Sequence, residues 1–157
     1  MTASIRSQIV DAAIALLNTD TPSGIPAADD TRLESYSADA GELPAISVFE
    51  IREEMETEKE GRWSYFLNRT FTMRVEMRIA ETLAKKARAA MDPLYVWVGQ
   101  QLGGIGQQNQ TFGGLAEDCY EALAEWQYAA ADQPYTLLQL DFRVIYSTLK
   151  TDPTRTQ

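Results

Sequence analysis

The feature that most constrains this chain is a strict alternation of apolar and polar side chains over residues 63–79. At the odd positions eight of nine residues are apolar and Arg69 is the exception, while at the even positions only Phe66 is large and apolar. Successive side chains of a strand point to opposite faces, so this pattern predicts one long antiparallel strand with one packed face and one wet face. Its length exceeds the usual range of roughly 3–10 residues. It therefore predicts a hairpin arm that projects beyond the domain and serves as an interaction surface.

Two further segments have the pattern of strands. Residues 43–55 carry apolar side chains on both sides at first, which predicts a strand whose first half is covered on both faces. This strand leads through the acidic stretch 50–62, with Gly61 near the turn, into the long strand. Near the C-terminus, after a turn at 132–134, a last strand is predicted. Its inward positions are Leu138, Leu140, Phe142, Val144 and Tyr146.

Helical periodicity appears twice. Apolar residues at steps of three and four predict a helix over 5–17, followed by a Pro- and Gly-containing loop from Asn18. A second helix is predicted over 83–102, with a kink or break at Pro93, because proline removes a helical hydrogen bond and Asp92 can cap a new start. Residues 99–114 hold six glycines without the Gly-Lys-Ser/Thr ending of a phosphate-binding loop, which indicates a flexible loop.

One segment, 115–132, is ambiguous. Its apolar residues at steps of four and three favour a helix, and its alternation over 122–129 is looser. The order of elements predicts an α+β domain with a mixed, mainly antiparallel β-sheet, containing a long β-hairpin and flanked by about two to three α-helices. The 157 residues fit a single domain, 1–157, with a loose C-terminal tail from about residue 150.

Charge and composition exclude several kinds of function. The formal net charge of −9 argues against DNA, RNA or an anionic membrane surface as an adhesive partner. The chain contains no histidine, which excludes Ser-His-Asp and Cys-His catalysis and imidazole zinc sites. The single cysteine, Cys119, excludes an intrachain disulfide and is expected to be a buried hydrophobe. No apolar run approaches the length of a membrane span, and the N-terminus lacks the pattern of a signal peptide.

Paired carboxylates are the remaining acid–base option. Glu50, Glu54 and Glu56 would share one face of a regular strand and could bind a hard cation such as Ca²⁺. No Asp-rich loop spacing supports such a site, so a solvated hairpin end is favoured. Accordingly no catalytic residue, metal site or cofactor is predicted. The three tryptophans, Trp63, Trp97 and Trp126, are expected to be core or interface anchors.

The order of these signatures is more specific than any one of them. The chain runs through IRSQIVDAAIALL, LPAISVFEIREEMETE, RWSYFLNRTFTMRVEMRIAE and LAKKARAAMDPLYVWVGQQL, and closes on LDFRVIYSTLKTDP. Over residues 5–153 this resembles the tail terminator (minor tail protein U-like) family of tailed bacteriophages. The strongest likenesses are the Leu-Pro-Ala-Ile-Ser-Val strand opening and the final Val-Ile-Tyr-Ser-Thr strand followed by Asp-Pro.

The resemblance implies a structural virion protein and no enzyme. Such proteins form a hexameric ring on the head-proximal end of the tail tube, where they end tail polymerisation and present the surface for head or neck joining. The implied partners are other copies of the chain, the tail tube protein and a neck protein, and genome DNA passes through the lumen without sequence-specific binding. The implied location is the tail–neck junction of a virion assembled in the host cytoplasm. The family also favours an extended conformation over 122–129.

Two alternatives stay open. The chain could be another neck or tail-completion (head-tail joining) subunit with the same fold and a different neighbour. It could also be a small ligand-binding domain or enzyme, which a deep pocket with two converging carboxylates would favour.

Nine charged residues are candidates for interaction. Arg69 is the one charge on the apolar face of the long strand, and a buried guanidinium needs a carboxylate or other acceptors unless it reaches solvent. The acidic turn 53–62 is predicted to be an assembly or lumen-lining surface through Glu54, Glu56 and Glu58. Its glutamates would face water or meet basic residues of another chain. The candidates for those partners are Arg74, Arg78, Lys85, Lys86 and Arg88.

Overall fold

The alternating segment forms the middle strand of a five-stranded sheet. The computed structural model describes residues 3–19, 21, 28–29, 43–56, 65–103, 110–130 and 134–155. The sheet order is β1-β2-β3-β5-β4, and among these strands only the short β1 runs parallel to its neighbour. The predicted mixed, mainly antiparallel sheet is confirmed. The strands are β1 (Ala28–Asp29), β2 (Ala45–Glu56), β3 (Phe66–Ile79), β4 (Asp118–Gln127) and β5 (Thr136–Leu149).

Two helices, α1 (Ile5–Leu17) and α2 (Ala84–Leu102), cover one face of this sheet, which we call the helix face. The opposite side is the outer face. The Ser4 side chain caps α1 by accepting a hydrogen bond from the Ser7 backbone N–H at 3.3 Å. Apolar residues of both helices share one core with the odd-numbered residues of β3 and the inward residues of β5. The predicted α+β fold is confirmed.

The burial of β3 follows the predicted alternation over most of its length. Phe71, Met73, Val75 and Met77 are fully buried, whereas Leu67, expected among them, is only half-buried. The prediction of a projecting arm is wrong for the described residues. Because β5 pairs with β3 along all 14 of its residues and β2 pairs with it from the other side, β3 lies inside the sheet. The turn between β2 and β3, residues 57–64, lies outside the described residues.

A β-bulge in β2 changes which glutamates share a face. The register shifts between Glu50 and Arg52, so that Glu50 lies opposite Met73 and Glu53 lies opposite Phe71. Glu50 and Glu53 therefore share the helix face, and Glu54, opposite Thr70, lies on the outer face. The expectation that Glu50, Glu54 and Glu56 share one face is wrong, because the bulge inserts one extra residue and reverses the alternation beyond it.

Three other expectations are corrected by the structure. Helix α2 continues through Pro93 instead of breaking there, and its buried residues on both sides of the proline hold it on the sheet. The segment with helical periodicity after residue 115 is strand β4, as the family resemblance favoured. The tail from residue 150 is not loose as far as Arg155. The Lys150 N–H donates to the Tyr65 carbonyl at 2.9 Å, and the Ile5 N–H donates to the Pro153 carbonyl at 3.0 Å.

Strand β1 was not predicted, since it lies within the segment assigned to the loop after α1. Its backbone is held by a side chain. The Ala28 N–H donates to Asn18 Oδ1 at 2.8 Å, and Asn18 Nδ2 donates to the Ala28 carbonyl at 3.2 Å. The Asn18 amide here makes the backbone hydrogen bonds that a neighbouring strand would otherwise make. Pairing of this kind produces no periodic pattern in the sequence, so β1 could not be predicted from it.

Replacing Phe71 should test the core assignment of β3. Phe71→Ala removes a fully buried ring at the centre of the sheet and should lower the free energy of unfolding by about 3–5 kcal/mol. Leu123→Ala, at a residue of β4 that is 49% exposed, is the control and should change it by less than about 0.5 kcal/mol. Urea unfolding measures both, and similar losses for the two variants would contradict the assignment.

Candidate assembly surface

The carboxylate of Glu53 is the centre of a polar cluster on the helix face. It accepts hydrogen bonds from Arg69 Nη1 at 3.2 Å, from Arg6 Nη1 at 3.4 Å and from the Tyr146 hydroxyl. Arg69 also donates through Nε to Thr148 Oγ1 at 2.9 Å. The side chains of Arg69 and Glu53 are only 13% and 15% exposed. The carboxylate that Arg69 was predicted to need therefore comes from its own chain, and a role of Arg69 between copies stays a prediction.

This cluster joins four elements of the fold. Arg6 comes from the first turn of α1, Glu53 from β2, Arg69 from β3 and Tyr146 from β5. The bulge in β2 is what brings Glu53 to the helix face, and Arg6 reaches Glu50 on the same face at 2.9 Å. The residue pattern indicated Glu53 only as the start of an acidic turn, and it gave no prediction for Arg6. The bulge that pairs them has no signal in the residue pattern.

Tyr146 is the most deeply buried member of this cluster. Burial and the hydrogen bond to the Glu53 carboxylate raise the pKa of the Tyr146 phenol above its ordinary value. Both effects disfavour the phenolate, since it would be poorly solvated and would lie beside a second negative charge. Tyr146 therefore acts as a hydrogen-bond donor that helps to fix Glu53.

Beyond the cluster, the last residues of β2 include two more glutamates, Glu54 and Glu56, at one end of the sheet. Glu54 is partly exposed on the outer face, where it pairs with Arg52 at 3.0 Å. The backbone of Glu56 lies opposite Asn68, and the Glu56 side chain and the whole of Glu58 lie outside the described residues. The structure thus places the start of the acidic segment at this end, which we call the acidic end (residues 53–56).

Three predicted basic residues lie together at the start of α2. Lys85, Lys86 and Arg88 are exposed, and within the described part of the chain none of them forms an ion pair. The first turn of α2 has no acidic residue, so these cations face the positive end of the helix dipole without compensation. Glu81 lies just before the helix, and its Oε1 accepts the N–H groups of Thr82 and Leu83, each at 3.0 Å. We call residues 85–88 the basic end.

The two ends lie far apart within one chain. The acidic end is next to the start of β3, since Glu54 lies opposite Thr70, whereas α2 begins after β3 has ended at Ile79. Thr70, beside the acidic end, and Ile79, at the end of β3 near the basic end, are nine residues apart along the strand. At roughly 3.3 Å per residue this corresponds to about 30 Å. That distance is about four Debye lengths at physiological salt, where the Debye length is about 8 Å. The acidic and basic ends therefore cannot neutralise each other within one molecule.

The other two basic candidates are already engaged inside the chain. Arg74 forms a bidentate pair with Asp141 on the outer face, with distances of 2.7 Å and 2.9 Å, and the hydrogen bond to Asp141 raises the pKa of Arg74. Arg78 pairs with Glu76 and lies 5.9 Å from the centre of the Tyr135 ring. Of the basic residues predicted to meet another copy, Lys85, Lys86 and Arg88 are the ones left available.

The described residues give little support for a catalytic site. Burial raises the pKa of the Cys119 thiol to about 12, so a reactive thiolate is not formed at neutral pH. No group of three or more Cys, Asp or Glu side chains in the described ranges could hold a metal ion. A pocket between α1 and β2, lined in part by Asp11 and Glu50, has a volume of about 130 Å³. That is below the roughly 300–1,000 Å³ of typical ligand sites.

The fold and these surfaces define an α+β domain with separated charged ends. No described helix is both long and apolar enough to cross a membrane. No protein-family model and no curated protein matches the chain. Among solved structures, the chain is similar to one in "Virion of native gene transfer agent (GTA) particle", with a TM-score of 0.48 and 14% sequence identity, covering 94% of this chain and 95% of that chain. A likeness of this degree carries no functional inference by itself.

Removing the negative charge of Glu53 should destabilise the fold. Glu53→Gln leaves Arg69 and Arg6 without their shared carboxylate and should lower the free energy of unfolding by about 1.5–3 kcal/mol. The neighbouring Glu54→Gln is a matched control, because its partly exposed pair with Arg52 should contribute less than about 1 kcal/mol. Equal effects in urea unfolding would show that the cluster does not stabilise the fold.

Tyr146→Phe should change how stability depends on alkaline pH. An unfolded tyrosine ionises near pH 10, and folding raises the pKa of Tyr146. The Tyr146 hydroxyl therefore contributes fully to the free energy of unfolding below about pH 10. This contribution is lost as the pH rises toward the folded pKa. The native chain should be more stable than the variant by about 1 kcal/mol at pH 8, and this difference should shrink between pH 10 and pH 11. A difference that stays constant over that range would contradict this account.

Proposed function

We propose that this protein is a structural component of a phage-like virion that forms a ring on the head-proximal end of the tail tube. The observation that carries the proposal is the separation of the acidic end from the basic end, whose cations have no ion pair with any described residue. Opposite charges on opposite ends of one molecule favour head-to-tail contact between copies. Head-to-tail contacts generate closed rings when the rotation between copies closes. The resemblance of the sequence to tail terminator proteins supports the same assignment.

In this proposal Glu54, Glu56 and Glu58 of one copy meet Lys85, Lys86 and Arg88 of the next. Such contacts set register and association rate more than affinity, and they weaken with salt. The ring would end tail polymerisation and contact the tail tube protein on one side and a neck protein on the other. A net charge of −9 suits a lumen through which DNA passes without being held. The proposed role needs neither catalysis nor a cofactor.

Charge reversal tests the head-to-tail contact directly. The triple variant Glu54→Lys, Glu56→Lys, Glu58→Lys and the triple variant Lys85→Glu, Lys86→Glu, Arg88→Glu should each fold and should each lose ring formation, with subunit affinity reduced about tenfold or more. An equimolar mixture of the two should form rings again, because every contact in an alternating ring then joins opposite charges. Negative-stain microscopy and sedimentation velocity report the result.

Arg143→Glu is the control, since Arg143 is exposed at the middle of β5, opposite Thr72 of β3, and lies away from both charged ends. It should leave rings intact. Failure of the mixture to assemble, while the unmodified chain forms rings, would show that these ends do not meet. Virion assembly without the protein distinguishes the roles. Overlong tails support a terminator, whereas tails of normal length that fail to join heads support a tail-completion subunit.

A further inference from the structure

Exposed ion pairs alone are weak, each contributing roughly 0–1 kcal/mol, so a stable contact between copies needs buried apolar area as well. Large exposed apolar side chains occur at both charged ends. Met55 is 56% exposed and lies in the acidic end itself, and Tyr65, just before β3 begins, is 80% exposed. Leu83 is 59% exposed and immediately precedes α2, two residues before Lys85.

The backbone holds each of these residues in a fixed place. The Tyr65 carbonyl accepts the Lys150 N–H at 2.9 Å, and Met55 lies opposite Arg69 in the β2–β3 register, beside the Glu53 cluster. The Leu83 N–H donates to Glu81 Oε1 at 3.0 Å, and its carbonyl accepts the Ala87 N–H at 2.8 Å. Apolar side chains presented on a fixed backbone lose little conformational entropy of the main chain on binding.

A second exposed apolar group lies on β4, at the far edge of the sheet. It comprises Tyr120, Leu123 and, just beyond the strand, Tyr128. The charged residues of β4 beside it, Glu121 and Glu125, are acidic and outnumber Arg143, which lies opposite Tyr120, so its surroundings carry net negative charge like the acidic end. Like charges disfavour contact between these two surfaces. The apolar residue with complementary surroundings is Leu83, because Lys85 and Lys86 follow it.

We infer that Met55 and Tyr65 of one copy pack against Leu83 of the next copy and form the apolar anchor of the head-to-tail contact. The inference rests on the proposed ring and names the residues that give it affinity. The charged residues around the anchor select the partner and its orientation. Tyrosine suits such a position, since it adds a large contact area with few rotatable bonds and is common at the energetically dominant positions of interfaces.

Serine substitutions in the full chain test the anchor. Tyr65→Ser and Leu83→Ser remove side chains that are already exposed, so the urea unfolding midpoint should stay at the native value. The dissociation constant between subunits, measured by sedimentation equilibrium, should rise about tenfold or more for each variant. Tyr128→Ser, at an exposed tyrosine outside both ends, is the matched control and should leave it unchanged. Met55→Ser should act in the same direction as Tyr65→Ser.

The double variant decides whether the two side chains meet. If Tyr65 and Leu83 pack together, Tyr65→Ser with Leu83→Ser should weaken association by less than the product of the two single effects. Rings that form normally in both single variants would overturn the anchor and leave the proposed function standing. A native chain that stays monomeric at all concentrations would overturn the proposed ring, and the anchor with it.

Discussion

The apolar face of β3 from Phe71 to Ile79 has to be covered, and the rest of the fold follows from that requirement. Strands β2 and β5 satisfy its backbone hydrogen bonds on both sides, and the two helices cover its apolar side chains. The apolar run stops at Arg69, where the core would otherwise contain an unpaired charge. There the Glu53 carboxylate accepts a hydrogen bond from Arg69, and it also accepts hydrogen bonds from Arg6 and Tyr146. The core therefore ends in a cluster of paired polar side chains.

Charges in this protein fall into two groups with different roles. The three arginines of β3 are largely buried and are paired inside the chain, Arg69 with Glu53, Arg74 with Asp141 and Arg78 with Glu76. Leaving any of them unpaired at that depth would destabilise the fold, so they are not available to another molecule. The cations at the start of α2 are unpaired among the described residues and oppose the helix dipole. A local arrangement that costs stability in the monomer is reasonable where a partner compensates for it.

Both groups of charges depend on the same sheet. The central strand fixes the acidic end and the basic end about 30 Å apart, and the Glu53 cluster ties β2 to its neighbours just before the acidic segment leaves the sheet. A rigid spacer with opposite charges at its two ends is well suited to repeated head-to-tail contact. The proposed function thus depends on the stability of the core as much as on the surface residues.

The sequence by itself determined the helices, the strands with strict alternation and the α+β class, because a period of two or of 3.6 residues is a local property of the chain. It also indicated that Arg69 needs a partner, since a guanidinium on an apolar face is costly anywhere. Only the tertiary structure decided that the partner is Glu53, because the bulge beside Ile51 reverses the face of every later residue in β2. Strand β4 likewise contradicted its local periodicity, since hydrogen bonding to β5 outweighs the weak preference of an exposed edge segment for a helix. Such outcomes depend on residues distant in sequence, which a local pattern does not contain.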